Sequence, residues 1–268
     1  MPLAVCATPI GNLADVTLRV LDELRRADLL LCEDTRQTRK LLERHGVAGK
    51  RLQSYHEHNE AKRTAEVLPR LEAGERVALV SDAGMPAVSD PGARLISAAL
   101  EAGVPVTVLA GPSAVETALV ASGFGADRFQ FLGYLPRGVG ERRALWEELG
   151  RWPHAAVAFE SPQRLGASLA GFAEALPDRP VAVCRELTKR HEEVVRGPAK
   201  EVAERFSGAV RGEITLVIGP GDVRRGDEDA AAAAVAELVA AGTSRRSAAD
   251  VVSRLTGVGR NRLYRGSL

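Results

Sequence analysis

The chain has 268 residues, 45% of them hydrophobic and 4% aromatic, with a formal charge of +1; that is enough for one large or two small cores built mostly of Ala, Val and Leu. The near-neutral balance excludes a globally basic nucleic-acid binder but allows a local basic face. Cys6, Cys32 and Cys184 are far apart and each sits in an apolar run, so neither a disulfide framework nor a zinc spacing is expected, and they read as buried thiols.

Residues 3–7 form a short apolar strand that runs into the turn Thr8-Pro9-Ile10-Gly11-Asn12. Helical spacing follows through Val16, Val20, Leu21 and Leu24. Residues 29–32 are a second strand, and the polar cluster Glu33-Asp34-Thr35-Arg36 comes directly after it. A helix is predicted over 38–44, a short strand over 52–55, and a helix over 63–71. Residues 77–80 (Val-Ala-Leu-Val) are the kind of run buried in a parallel sheet. They lead into 81–92, where Gly84, Pro86, Pro91 and Gly92 force a loop around Asp82 and Asp90. A helix over 93–100 and a strand over 106–109 complete the first half.

This repeated strand–loop–helix pattern predicts a parallel sheet covered by helices. The loops 8–12, 81–92 and 110–114 would then emerge at one sheet edge, where ligands of open α/β sheets bind. Glu33, Asp34, Asp82 and Asp90 share that edge. They disfavour a polyphosphate and suit a ligand with an amino or sulfonium charge. No G-x-G-x-x-G, P-loop, G-x-S-x-G or H-E-x-x-H motif occurs, and His56 and His58 lack an evident third partner for a metal.

After a helix over 115–121, a second set of elements is predicted. Strands cover 129–134, 155–159, 181–184 and 214–218; helices cover 141–149, 164–176 and 198–206. The expected domains are therefore 1–115 and 116–221, both α/β. Residues 222–229 read as a solvated linker, and 230–241 as a helix. A small helical C-terminal segment, 230–268, ends in a helix-turn-helix outline. From residue 243 onward it carries six arginines and one acid, a charge that would meet phosphates.

The phrases TPIGN, CEDTR, SDAGMPAVSDPG, AGPSA, FESPQRL, RELTKRHEEVVRG and RGEITLVIGP lie in this order over nearly the whole chain. As a set they resemble the tetrapyrrole-methylase-like class of S-adenosylmethionine-dependent methyltransferases. Within that class they are similar to the bacterial branch that methylates the ribose 2′-oxygen of cytidine 1402 in 16S rRNA. The resemblance implies a two-domain α/β fold distinct from Rossmann-type methyltransferases, S-adenosylmethionine as cofactor, and a homodimer. It also implies 16S rRNA or the small ribosomal subunit as partner. With no signal peptide and no membrane span evident in the sequence, a cytoplasmic location is expected.

Carried over residue by residue, the resemblance assigns cofactor contacts to Pro9, Ile10 and Gly11, to Asp82, Ala83, Gly84 and Met85, and to Ser113 and Ala114. Met85 stands where such chains usually have Thr. In the second half it assigns Leu187, Thr188, Glu213, Ile214 and Thr215. Transfer to a ribose hydroxyl requires alignment and removal of a proton. Glu33, Asp34, Glu160 and Glu186 are the candidate bases. Arg36, Arg164, Arg185 and Lys189, with Arg245, Arg246, Arg260 and Arg262 of the tail, are the candidate RNA contacts. A tetrapyrrole C-methyltransferase and a non-catalytic rRNA-binding assembly factor are the alternatives.

Overall fold

A computed structural model describes residues 2–125, 127–221 and 225–266, with the backbone alone at 225–227. The first sheet contains β1 (Leu3–Cys6), β2 (Leu29–Cys32), β3 (Leu52–Ser54), β4 (Val77–Val80) and β5 (Val106–Leu109) in the order β3-β2-β4-β1-β5. All its pairings are parallel. Four helices cover it: α1 (Leu18–Arg26), α2 (Thr35–Arg44), α3 (Glu60–Glu72) and α4 (Ala93–Glu101). Alternate strand residues serve the two faces. Ala4, Cys6, Leu30 and Val80 pack on Leu24 of α1 and Leu41 of α2. Leu3, Leu29, Leu31 and Leu79 pack on Leu71 of α3 and Leu95 of α4. Burial on both faces is why these strands read as unbroken apolar runs. Each enclosed leucine contributes about 1.5–3 kcal/mol.

α5 (Ala114–Ser122) follows the last loop of this sheet and packs on the second one. Val115, Ala118 and Leu119 meet Val157, Ala182, Cys184 and Val217. The expected boundary between 115 and 116 thus falls just inside a helix. The second sheet is β6 (Phe129–Tyr134), β7 (Ala155–Glu160), β8 (Pro180–Arg185), β9 (Glu193–Pro198) and β10 (Ile214–Ile218), in the order β6-β7-β10-β8-β9. Only β6 and β7 run parallel. α6 (Val139–Arg151), α7 (Leu165–Ala175) and α8 (Ala199–Arg205) close its other face around Trp146, Leu169, Phe172 and Val202.

Two expectations are corrected. β9 was not predicted, because Glu-Val-Val-Arg-Gly-Pro is a half-buried edge strand without an apolar run. The supposed linker is already helix at 225–229, since α9 spans Arg225–Ala240; residues 222–224 lie outside the described residues. Acids suit a helix N-terminus, which composition alone reads as a solvated linker. α9 packs with α10 (Arg245–Thr256) and α11 (Arg260–Gly266) around Val235, Ala248, Val252 and Leu263. Gly257, at φ 74°, ends α10 in the left-handed region. All three cysteines are free and buried, and burial pushes the Cys6 and Cys184 thiols up to about 12. Among the described residues no helix is long and apolar enough to cross a membrane.

Candidate active site

β4, β1 and β5 are neighbours in a parallel sheet, so the loops that follow them leave side by side. A pair of backbone bonds ties the first two: Thr8 N to Gly84 O at 2.8 Å and Gly84 N to Thr8 O at 3.0 Å. The Thr8 hydroxyl donates to Ser81 O at 3.0 Å. Within this loop Ala87 and Ser89 have φ of 68° and 61°. Non-glycine residues there cost about 1–3 kcal/mol each. Glu60 of α3 holds the loop's far end, its Oε1 accepting from Gly92 N at 3.1 Å.

The second half meets the first at Gly11. A Cβ on Gly11 would stand 2.5 Å from Lys189 Cγ and 2.8 Å from Thr188 Oγ1. Asn12 N donates to that same hydroxyl at 3.0 Å. Thr188 and Glu186 themselves sit at φ of 65° and 53°. The strained backbone of the second half therefore packs directly on Gly11.

Between the halves lies a cleft of about 1050 Å³. Six carboxylates line it (Glu33, Asp82, Asp90, Glu116, Glu160 and Glu213), and among the described lining residues there is no Lys, Arg or His. Burial and the charge of Asp82 raise Glu33. Partial burial in the cleft wall raises Asp82. Burial, reinforced by Glu33, raises Asp90 to about 6. Asp34 behaves oppositely: the Arg36 guanidinium and backbone N–H lower it to about 2.

The second half contributes an aromatic wall. Phe129, Phe131, Tyr134 and Phe159 line it, four of the eleven Phe, Tyr and Trp residues in the chain. Phe159 meets Phe131 edge-on at 5.1 Å and Tyr134 at 5.5 Å. Phe129 and Phe131 are two apart on β6 and so share a face. The ladder shifts register between Phe131 and Tyr134, so strand alternation does not foretell Tyr134's place. This wall was missed by sequence reasoning; its available signal was the crowding of a scarce residue type into 129–134. Glu116 was missed as well, and Asp90 had been read only as one of several acids.

Most of the predicted cofactor residues line this cleft: Ile10, Asp82, Ala83, Gly84, Met85, Ser113, Ala114, Leu187, Glu213, Ile214 and Thr215. Pro9 and Gly11 line a second chamber of about 460 Å³, which shares Ile10, Asp82, Ala83 and Glu213 with the cleft. Thr188 lines neither and serves the joint with Gly11 and Asn12.

The candidate bases separate. Glu33 and Glu160 reach the cleft; Asp34 and Glu186 are not among its lining residues. Asp34 caps α2, accepting from Arg36 N at 2.8 Å. Glu160 is 2% exposed, pairs with Arg164, and accepts from Ser161 N at 2.7 Å and Ser168 Oγ at 2.6 Å. Glu186 accepts from Glu213 N and Lys189 Nζ, both at 2.9 Å, and these bonds lower its pKa.

The candidate RNA cations of the body all have internal partners. Arg36 pairs with Asp34 at 2.7 Å, Arg185 with Glu193 at 3.0 Å, and Lys189 with Glu186 at 2.9 Å and Glu213 at 3.0 Å. Arg164 pairs with Glu160 and also donates to Leu135 O at 3.1 Å. In the tail Arg260 pairs with Asp250 at 3.0 Å and Arg262 with Glu228 at 2.6 Å. Arg245 and Arg246 make no ion pair among the described residues.

A cleft lined by carboxylates, without a cation among the described lining residues and with an aromatic wall, fits a ligand that joins positive charge to a flat ring, as S-adenosylmethionine does. Glu33, Asp82 and Asp90 suit the charge, and Phe131 and Phe159 suit the ring. The sequence pattern of the tetrapyrrole (corrin/porphyrin) methylases matches residues 2–203. The chain is 43% identical to the ribosomal RNA small subunit methyltransferase I of Mesorhizobium japonicum, over 98% of this chain and 90% of that relative. It is 45% identical to the protein of that name from Thermotoga maritima, over 81% of this chain and 97% of the relative. Its fold is similar to that of the Thermus thermophilus uroporphyrin-III C-methyltransferase complexed with S-adenosylhomocysteine. The TM-score is 0.56 at 21% identity, over 81% of this chain and 96% of the other. On its sequence and its fold, the chain belongs to the tetrapyrrole methylase family.

Proposed function

We propose that this chain transfers the methyl group of S-adenosylmethionine to a ribose 2′-oxygen of 16S rRNA, at cytidine 1402 by its resemblance. It would work as a homodimer in the cytoplasm, on free rRNA or on the small ribosomal subunit. Methyl transfer from that donor is the chemistry of its family. The curated relatives named for ribosomal RNA support the RNA substrate. The exposed Val108 on the edge strand β5 supports a partner copy. The observation that carries the reading is the cleft with six carboxylates and no described cation. It favours a cationic donor and keeps RNA phosphates at its rim.

The donor, when bound, supplies a methyl group already activated by a positively charged sulfur. What remains for the chain is alignment, charge and one proton. Gly11 and the strained loops 82–89 and 186–188 bring the two halves close at the cleft, where they would hold the cofactor. Of the four candidate bases, Glu33 lines the cleft and has no ion-pair partner among the described residues. Its pKa is raised by burial, which suits a carboxylate that accepts the ribose proton. Glu160 acts at one remove. It holds Arg164, which holds the Leu135 carbonyl beside Tyr134. Tyr134 stands 60% exposed on the rim and offers a ring on which an extruded base would stack.

Incubating the protein with methyl-labelled donor and small ribosomal subunits, followed by nucleoside analysis, tests this. Label in 2′-O-methylcytidine is the expected result. Label entering a uroporphyrinogen substrate instead would assign C-methylation. RNA binding without transfer would make the chain an assembly factor.

A further inference from the structure

A cleft that repels phosphate leaves open where the RNA strand runs. Among the described residues, the second chamber is lined by cations where the cleft is not: Lys40 of α2 and Lys189 line it, beside Gln37, Asp82, Glu213 and the first loop. Lys189 is held by Glu186 and Glu213. Lys40 donates only to the neutral Gln37 Oε1, at 3.1 Å, and forms no ion pair among the described residues.

α2 extends this charge outward. Its inner side, Thr38, Leu41 and Leu42, is buried against the sheet. Its outer side exposes Arg36, Arg39, Lys40 and Arg44, with Glu43 as the one acid. Arg36, Lys40 and Arg44 recur every fourth residue, so they form one row, and Arg39 stands beside Arg36 at i+3. The row is about 12 Å long at about 1.5 Å per residue, the span of three to four stacked nucleotides at about 3.4 Å each. Arg36 is paired with Asp34. Arg39 and Arg44, like Lys40, have no ion-pair partner among the described residues. Only Glu33, in the cleft, and Asp34 separate the helix from β2.

From this juxtaposition we infer that the outer face of α2, through Arg39, Lys40 and Arg44, carries the phosphates of the RNA strand that flanks the methylated nucleotide. The second chamber is the passage between that strand and the cleft. The inference rests on the RNA-methylating reading above. It assigns the main electrostatic contact to the first domain rather than to the arginine-rich tail.

The test is filter binding of transcribed 16S rRNA to the full chain over a series of salt concentrations. The triple variant Arg39→Gln, Lys40→Gln, Arg44→Gln should bind at least about tenfold more weakly at 0.1 M salt. The slope of log affinity against log salt should be shallower by about 2, or about 0.7 for each lost contact on a single strand. Donor binding by calorimetry should be unchanged. Replacing exposed cations of α6 (Arg143→Gln, Arg151→Gln) should leave RNA affinity within about twofold. Glu43→Lys, which adds charge to the same face, should tighten RNA binding about two- to threefold. An unchanged slope, with affinity within about twofold of the parent, overturns the inference. Should the triple variant lose donor binding too, Glu43→Lys decides: tightening supports the surface, and no tightening overturns it. A parent chain that binds the donor yet neither binds nor methylates 16S rRNA removes the functional reading, and this inference with it.

Discussion

The cleft and the helix beside it treat charge in opposite ways. The cleft gathers six carboxylates with no described cation, and burial raises Glu33, Asp82 and Asp90. One turn away, α2 turns Arg39, Lys40 and Arg44 to solvent, and its Asp34 cap is lowered to about 2 by Arg36. Glu33 in the cleft and Arg36 on α2 are three residues apart, so the sign changes within about one helical turn of chain. Such a boundary separates two ligands by charge: a cation inside and a polyanion outside. An enzyme that joins a sulfonium donor to a nucleic acid needs that separation, because close phosphates would compete with the carboxylates for the positive sulfur.

Each side of the boundary can be attacked separately. The largest effect is expected at the proton acceptor: Glu33→Gln should lower the single-turnover methyl-transfer rate about 100-fold. RNA affinity should be kept, and a rate within about threefold of the parent removes Glu33 from the role. Gly11→Val should open the joint between the halves, since even a Cβ there meets Lys189 at 2.5 Å. Overpacking of about 1–3 kcal/mol corresponds to about a 5- to 150-fold loss of donor affinity by calorimetry. Tyr134→Ala should reduce kcat/KM for RNA about tenfold with donor affinity unchanged, as loss of one stacked base predicts; Tyr134→Phe should restore it.

Acid should discharge the cleft. Asp90 is ionised above about 6, and the raised Glu33 and Asp82 lose charge as pH falls further. Protonation removes negative charge facing a cation. Donor affinity should therefore weaken below pH 6, by at most about tenfold per pH unit for one group, and a flat titration from pH 8 to 5 would count against the cleft's charge. The smallest change is expected from the tail. Arg245→Ala with Arg246→Ala should weaken RNA binding only about two- to threefold. Replacing Arg260 and Arg262 also removes internal pairs with Asp250 and Glu228. Those two report stability together with binding, measurable as a lowered Tm.

Much of the fold was legible. The runs 29–32, 77–80, 106–109 and 214–218 were predicted with the bounds observed for β2, β4, β5 and β10. A strand buried on both faces must be apolar throughout, whatever its partners are. β9 was invisible because an edge strand is specified by its neighbour, β8, and not by its own residues. The same holds for charge. Arg185 and Lys189 are candidate RNA contacts by sequence, yet Arg185 is matched by Glu193 across β8 and β9, and Lys189 by Glu213, carboxylates that the fold brings to them.

By itself, then, the order of apolar runs and glycine-rich loops determined a parallel α/β half, a second α/β half, and which loops share an edge. These follow from backbone hydrogen bonding and burial, which act on local sequence. Only the tertiary structure decided which charges stay unpaired, that Phe159 joins the aromatics of 129–134 in one wall, and that Gly11 is the joint between the halves. Those depend on distances between residues far apart in the chain, and no local pattern encodes a distance.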